Sequence, residues 1–353
     1  MKTLRLTVDP AHLEAAETRQ ALEHGARILH EGGLVALPTE TVYGLGANAL
    51  DPAAVERIFA AKQRPAWDPV IVHIADPSML HRLVTETPKA AQRLIAAFWP
   101  GPLTLLLPRS AAVPDAVTAG RPLVGVRMPA HPVALELIRR AGVPVAAPSA
   151  NLFAHISPTT AGHVLADLDG RIDAILDAGP TAHGVESTVL DPCQSPMVIY
   201  RPGAVTAEMI EQVAGSVEVF SGKVIEEEPS QSLPSPGVGL RHYAPNARLI
   251  LIEADAAAPQ ADLARQLAQA ASAFPSERLG VMMPVGVAPP PGAVVFPWGK
   301  WSAPEALAHS LYAGLRALDE QECTVILCPL PPAAGLGAAI RDRLHKAARE
   351  PHR

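Results

Sequence analysis

Residues 34–74 read LVALPTETVYGLGANALDPAAVERIFAAKQRPAWDPVIVHI. LVAL (34–37) is a short run of strand formers stopped by Pro38, which cannot donate to a ladder. An irregular stretch follows, and Pro52 then opens PAAVERIFAAKQR with Val55, Ile58 and Phe59 at helical spacing. VIVHI (70–74) is strand-like again. Strand, helix and strand within some forty residues are the repeating unit of an α/β protein.

The same alternation extends both ways. Residues 18–32 form an amphipathic helix ending at Gly32-Gly33, and helices are expected near 77–85, 88–98, 131–141 and 206–213. LTLLL, VGVRMP and VPVAAP are short apolar strands, with three more at 172–177, 187–191 and 197–201. Residues 1–214 are therefore read as one mixed-sheet α/β domain. From 215 to 245 periodicity vanishes, and SGKVIEEEPSQSLPSPGVGLRHYAP has the acidic, Pro, Ser and Gly content of an extended linker. Beyond it RLILIE, RLGVMMP, VVFPW and TVILCPL alternate with helices near 260–273, 303–320 and 337–348. Residues 246–353 thus form a smaller doubly wound, Rossmann-like domain.

Bulk properties narrow the classes. A chain of 353 residues exceeds what one core usually supports, and an apolar content of 48% with only 4% aromatics calls for a core of Ala, Val, Leu and Ile. The net charge of −6 argues against a protein that coats nucleic acid by bulk attraction. Cys193, Cys323 and Cys328 make no C-x-x-C pair and are read as buried thiols of a reducing compartment. With no apolar run of signal or spanning length, the expectation is a cytoplasmic protein without a membrane partner.

Several motifs are excluded or weak. G-x-x-x-x-G-K-[ST] is absent, so nucleotide chemistry is not of the P-loop kind. Gly44-Leu-Gly46-Ala-Asn-Ala49 fits G-x-G-x-x-A formally, but TETVY separates it from the strand, and the glycines are read as permitting a tight loop. Gly335 and Gly337 open the last helix and are read as packing glycines. Neither Ser149 nor Ser187 lies in G-x-S-x-G, and the histidines show no zinc spacing, so no protein metal site is expected. What remains is a concentration of polar residues at predicted strand ends, where open α/β sheets bind ligands: Thr39, Thr41, Lys62, Arg64, His73, Arg127, Ser149, Asn151, Ser187 and Arg201. Taken singly, each also has a plain structural reading as a helix terminus, a core histidine or an ion pair.

In order, LPTETVYGLGANA, KQRP, IVHI, WPGPLTLLL, VRMPAHP, AAPSANL, SPT, GVESTVLD and YRPGA resemble the YrdC-type L-threonylcarbamoyl-AMP synthases. SPG, RHYAP and GLGAAIRDRLHKA resemble the extra domain of the long form, so the resemblance spans nearly the whole chain. It implies a twisted open mixed sheet with a concave, positively lined cleft holding ATP and threonine side by side. Lys62, Arg64, Ser149 and Asn151 match the family's Lys-Arg-Ser-Asn tetrad around the phosphates and the carbonate-bearing centre. Arg64, Asp68, Leu123, Ser149, Ser157, Arg201 and Leu240 match ATP contacts, and Thr41, His73, Arg127, Ala147 and Ser187 match the threonine pocket. Two departures are the Trp67-Asp68 pair, where a small polar pair is more usual, and Leu240, where the linker commonly carries an aromatic or basic residue.

The implied substrates are ATP with its Mg²⁺, L-threonine and bicarbonate, and the product would pass to tRNA threonylcarbamoyl-transfer proteins. Such chemistry needs no protein nucleophile, so positioning and charge neutralisation carry it. Rival readings are a carbamoyl-adenylate enzyme, whose usual extra metal-binding or transferase domains are not visible, and a non-catalytic RNA-binding module. Net acidity and the lack of an aromatic-basic motif oppose the latter.

Overall fold

A computed structural model of the chain describes residues 2–220, 235, 242–253 and 260–349. Most of the expected linker at 215–245, Leu240 included, lies outside the described residues. The chain forms two compact units: Met1–Phe153, Ser157–Ala182 and Glu186–Gly239 make the first, and Ala154–Ile156, His183–Val185 and Leu240–Arg353 the second.

In chain order the first unit comprises β1 (Leu4–Thr7), α1 (Ala16–His30), β2 (Val35–Leu37), β3 (Gly44–Asn48), α2 (Pro52–Lys62) and β4 (Val72–His73). A 3₁₀ turn (Pro77–Arg82), α3 (Lys89–Phe98), β5 (Leu103–Pro108), α4 (Asp115–Thr118), β6 (Leu123–Arg127), α5 (Pro132–Ala141) and β7 (Val145–Ala146) follow. The unit ends with α6 (Ala161–Leu168), β8 (Ala174–Asp177), β9 (Thr188–Asp191), β10 (Met197–Arg201), α7 (Ala207–Ala214) and β11 (Val217–Val219). The described strands form one sheet in the order β1-β8-β2-β3-β7-β4-β6-β5-β9-β10-β11. Parallel pairs such as β4–β6 alternate with antiparallel ones such as β3–β7 and β5–β6, so the sheet is mixed as expected.

Three local readings are corrected. Gly44–Asn48 is a strand, hydrogen-bonded to β2 and β7 on its two sides, and not a tight loop. Its glycines serve close approach: a Cβ on Gly46 would stand 2.9 Å from both Leu37 and Val145 side chains. The helix expected at 77–85 is a 3₁₀ turn, because Leu83 N–H bonds Leu80 O and Val84 then bridges Arg109 in β fashion. Cys193, expected to be buried, is exposed.

Strand alternation divides the two faces. One face carries Val72, Leu103, Leu105, Leu107, Val124, Val126, Ala146 and Leu190 into a large core shared with α2 and α3. On the other, α1 and α5 cover the β8, β2 and β7 half through Leu22, Leu29, Leu137 and Ile138. Over the β4, β6, β5 and β9 half, the described residues on the same face form a small cluster of Ile71, Leu106 and Val189 with Leu123 and Tyr200. On the same face stand His73 and Thr104, two residues along from Ile71 and Leu106, and Arg127, four along from Leu123.

A β-bulge adds to this half. β10 pairs Ile199 with Leu190 but Arg201 with Val189, so one extra residue turns Arg201 away from the core that takes Ile199. Just beyond, a Cβ on Gly203 would lie 2.4 Å from Thr188 N and 2.8 Å from Glu186 O.

In the second unit β12 (Arg248–Ile252), α8 (Gln260–Ser272), β13 (Leu279–Pro284), β14 (Val294–Gly299), α9 (Pro304–Glu320), β15 (Val325–Pro329) and α10 (Leu336–Ala347) build a parallel sheet ordered β12-β15-β13-β14. Leu263 and Leu267 of α8 pack on Val281, Met283 and Leu327. α9 lies on the opposite face, where a Cβ on Gly314 would meet Met282 and Phe296 at 2.7 Å. Helices on both faces give the doubly wound arrangement. Gly337 is a packing glycine, since a Cβ there would stand 1.9 Å from the Pro332 carbonyl, but Gly335 is not: a Cβ there meets nothing within 4 Å, and its φ of 54° marks a turn.

Gly203→Ala should lower the thermal midpoint by roughly 3–10 °C, since the new methyl meets main chain that cannot swing aside. An unchanged melting curve would contradict the close approach.

Candidate active site

The first cation pair owes its placement to a helix end. Asp51 caps α2 by accepting from Ala53 N–H (3.0 Å), and Pro52 supplies the preset first turn. The helix stops at Lys62 because Gln63 turns left-handed (φ 54°), with Gln63 N–H bonding Ala60 O and Arg64 N–H bonding Phe59 O. That motif projects Lys62 and Arg64 from the last turn.

Lys62 is buried, and its Nζ donates to the carbonyls of Ser149 and Asn151, each at 2.6 Å. The loop after β7 is thereby drawn onto the end of α2, and Phe153 N–H adds a bond to Lys62 O (2.8 Å). Burial pushes the Lys62 ammonium well below its ordinary range, the Arg64 charge pushes the same way, and Asp68 and Asp167 oppose them. Arg64 donates to the carbonyls of Asp68 (3.1 Å) and Pro69 (2.7 Å) and pairs with the Asp68 carboxylate at 2.9 Å. Asp68 is fully buried; burial raises its pKa, against the pull of Arg64, Lys62 and Arg201. The three cations therefore act on one carboxylate.

Arg201, turned by the bulge, donates to the Ser187 carbonyl (3.0 Å) and hydroxyl (3.1 Å), and Ser187 Oγ lies 2.8 Å from Thr104 Oγ1. Ser157 donates to Glu186 at 2.6 Å. Leu123 begins the strand that Arg127 ends, so β6 alone spans ~13 Å between the two.

A second group gathers at that end. His73 and Arg127 are direct partners across β4 and β6, and Ala147 N–H bonds Ile71 O (2.9 Å). Thr39 organises the PTET turn: its hydroxyl donates to Val42 O (2.6 Å) and accepts from Thr41 and Val42 N–H. Thr41 in turn accepts from Arg127 Nη1 (2.9 Å), while Arg127 Nε donates to Gly101 O (3.2 Å) and Nη2 pairs with Glu40 at 2.6 Å. Burial first, then the Arg127 charge, hold the His73 imidazole down to about 3, so it is neutral at physiological pH.

The tetrad residues Lys62, Ser149 and Asn151 thus meet directly, Arg64 joins them through Asp68, and Thr41 and His73 meet at Arg127, with Ala147 bonded to Ile71, two residues before His73. Ser187 stands on Arg201. Leu240 lies outside the described residues. Glu40, Gly101, Thr104 and Glu186 were not anticipated. Glu40 carried a signal, as the only charged side chain between Gly33 and Asp51.

An α/β sheet that gathers buried cations and hydroxyls at its strand ends belongs to a protein that holds small anionic ligands. Comparison with known proteins narrows the class. The profile of the Sua5, YciO and YrdC family, described as "Telomere recombination", matches residues 27–203, and the profile described as "Threonylcarbamoyl-AMP synthase, C-terminal domain" matches residues 205–349. The chain belongs to the Sua5–YciO–YrdC family and carries the Sua5 C-terminal domain. Threonylcarbamoyl-AMP synthase of Pyrococcus abyssi is 44% identical over 91% of this chain and 92% of its own, and that of Bacillus subtilis 44% identical over 99% and 98%. A solved structure of P. abyssi Sua5 complexed with L-threonine superposes with a TM-score of 0.89 at 41% identity, covering 98% of each chain. No described helix is long and apolar enough to cross a membrane.

His73 gives a pH test. An unfolded chain protonates this imidazole near 6.5 while the folded one resists until about 3, so the unfolded state binds the extra proton in that window. Its contribution to stability is complete above pH 6.5 and lost as pH falls toward 3, at up to about 1.4 kcal/mol per unit. Urea unfolding between pH 4.5 and 7 should show a shallower slope for His73→Gln than for the wild type, and identical slopes would exclude the effect.

Proposed function

We infer that this chain is an L-threonylcarbamoyladenylate synthase, converting ATP, L-threonine and bicarbonate to threonylcarbamoyl-AMP, pyrophosphate and water. The observation that carries the reading is the convergence of Lys62 with Ser149 and Asn151, within reach of Arg64 and Arg201, beside the separate Arg127–Thr41 group. One cationic group suits a triphosphate, and the other suits a small amino acid. The relatives' activity and the threonine in the P. abyssi structure support the same reading.

The threonine amine adds to the carbon of bicarbonate with loss of water, giving a carbamate. A carbamate oxygen then attacks the α-phosphorus of ATP, and the bond to the bridging oxygen breaks to release pyrophosphate. Both steps bring anions together, so the barrier is dominated by charge repulsion and orientation. Lys62 and Arg64 neutralise the carbamate and phosphates, Ser149 and Asn151 orient them, and Arg201, Ser157 and the Leu123 main chain hold the nucleotide. Asp68 balances the cations and fixes Arg64. Mg²⁺ enters on the triphosphate oxygens as part of the substrate.

Arg127 grips the threonine carboxylate with its planar fork, while Thr41, Ser187, His73 and the main chain at Ala147 read the hydroxyl and amine. A neutral His73 can both donate and accept. We place the product in the N6-threonylcarbamoyladenosine modification of tRNA, in the cytoplasm, with transfer proteins as its receivers.

Pyrophosphate release by the purified protein should require threonine and bicarbonate together, and release without either would sink this reading. Lys62→Met should cut kcat by roughly 10²–10³. Arg127→Lys should raise KM for threonine by about tenfold to a hundredfold with KM for ATP nearly unchanged, because an ammonium cannot replace two parallel N–H bonds.

A further inference from the structure

Helix α9 presents one face over four successive turns, and each turn holds main chain or a ring from elsewhere. Ala308 and His309 lie against Gly184, where a Cβ would stand 2.6 Å from His309 Cα. Tyr312 stacks on Tyr243 with 5.8 Å between ring centroids, and Arg316 donates to the Ile156 carbonyl. Asp319 accepts from the Asn246 and Ala247 N–H groups at 2.8 and 3.1 Å. Ala244 N–H adds a bond to Ala154 O (2.9 Å). The second unit thus takes in two short pieces of chain, Ala154–Ile156 and His183–Val185, in which Ile156 and Val185 are buried.

Each piece leads directly into residues of the site. Ile156 precedes Ser157, and Gly184 and Val185 precede Glu186 and Ser187. Ser157 donates to Glu186 at 2.6 Å, both are buried, and Ser187 gives Arg201 its carbonyl and hydroxyl partners. The two ends of the Ser157–Glu186 bond are therefore anchored one and two residues away by the same helix. A chain with planar peptides has only two soft torsions per residue, so an anchor at that range leaves the next side chains little freedom. Gly184 is specified by its place: its φ is 75°, and the α9 main chain leaves no room for a Cβ.

We propose that α9 is a positioning element for the reaction: Arg316 acts through Ile156 on Ser157, and the seat for Gly184 acts on Glu186 and Ser187. This rests on the synthase reading, in which Ser157 holds ATP and Ser187 reads threonine. Both residues act through the chain and touch neither substrate. The guanidinium gives the Ile156 carbonyl a charge-assisted bond, roughly twice as strong as a neutral one, and so fixes the first arm. The close approach at Gly184 fixes the second. The second unit thereby has a task in the reaction, which is to hold two substrate-reading hydroxyls in place before substrate arrives.

The test is steady-state pyrophosphate release by the full chain. Arg316→Met should raise KM for ATP by about tenfold with kcat within about twofold, and Arg316→Lys, which keeps a charged donor, should recover most of the loss. Gly184→Ala should raise KM for threonine by about tenfold, because the arm carrying Ser187 must shift. Leu267→Ala, which loosens the second unit's core from the α8 side, should lower the melting midpoint and leave both KM values unchanged. Wild-type KM values in folded Arg316→Met and Gly184→Ala would overturn the proposal, and so would an equal rise in Leu267→Ala. Should neither variant fold, the wild type still decides: by linkage ATP must slow amide hydrogen exchange along α9, and unchanged exchange overturns the proposal. A wild type that releases no pyrophosphate with threonine and bicarbonate would instead remove the synthase reading on which the proposal rests.

Discussion

Burying positive charge is the constraint on which the rest of the first unit depends. Lys62, Arg127 and Arg201 are nearly inaccessible, and the Arg64 side chain is 6% exposed. A cation taken from water without compensation costs several kcal/mol, and each here is compensated differently. Lys62 relies on two main-chain carbonyls, Arg64 and Arg127 on a carboxylate plus carbonyls, and Arg201 on the carbonyl and hydroxyl of Ser187. These partners come from loops at strand ends, so the loops are fixed by the charges as firmly as the charges are by the loops.

Rigid main chain makes that exchange workable. The Schellman turn at Gln63 fixes where α2 releases Lys62 and Arg64, and the bulge in β10 turns Arg201 toward Ser187. Gly203 and Gly46 let neighbouring backbones close to distances that any side chain would forbid. Preorganised dipoles and cations need no rearrangement when charge develops, which is why such a site suits a reaction joining anions.

The departure at Asp68 has a physical sense in this frame. A carboxylate facing Arg64, Lys62 and Arg201 offsets part of their mutual repulsion, a service an amide would perform only as a hydrogen-bonding dipole. Asp68 thus tunes the field of the three cations around it.

The sequence by itself carried the alternation of strands and helices, the cap and proline at α2, and the ordered segments that resemble one family, because periodicity and turn chemistry are local. It misjudged Gly44–Asn48, where pairing on both sides overrides a glycine-rich stretch, and residues 83–85, which a bridge to Arg109 takes out of the helix. Only the tertiary structure decided strand order, which sets Arg127 beside His73 and against Glu40, 87 positions earlier in the chain. No local pattern announces that pairing, since the worth of a charge depends on its burial and on neighbours brought from elsewhere in the chain.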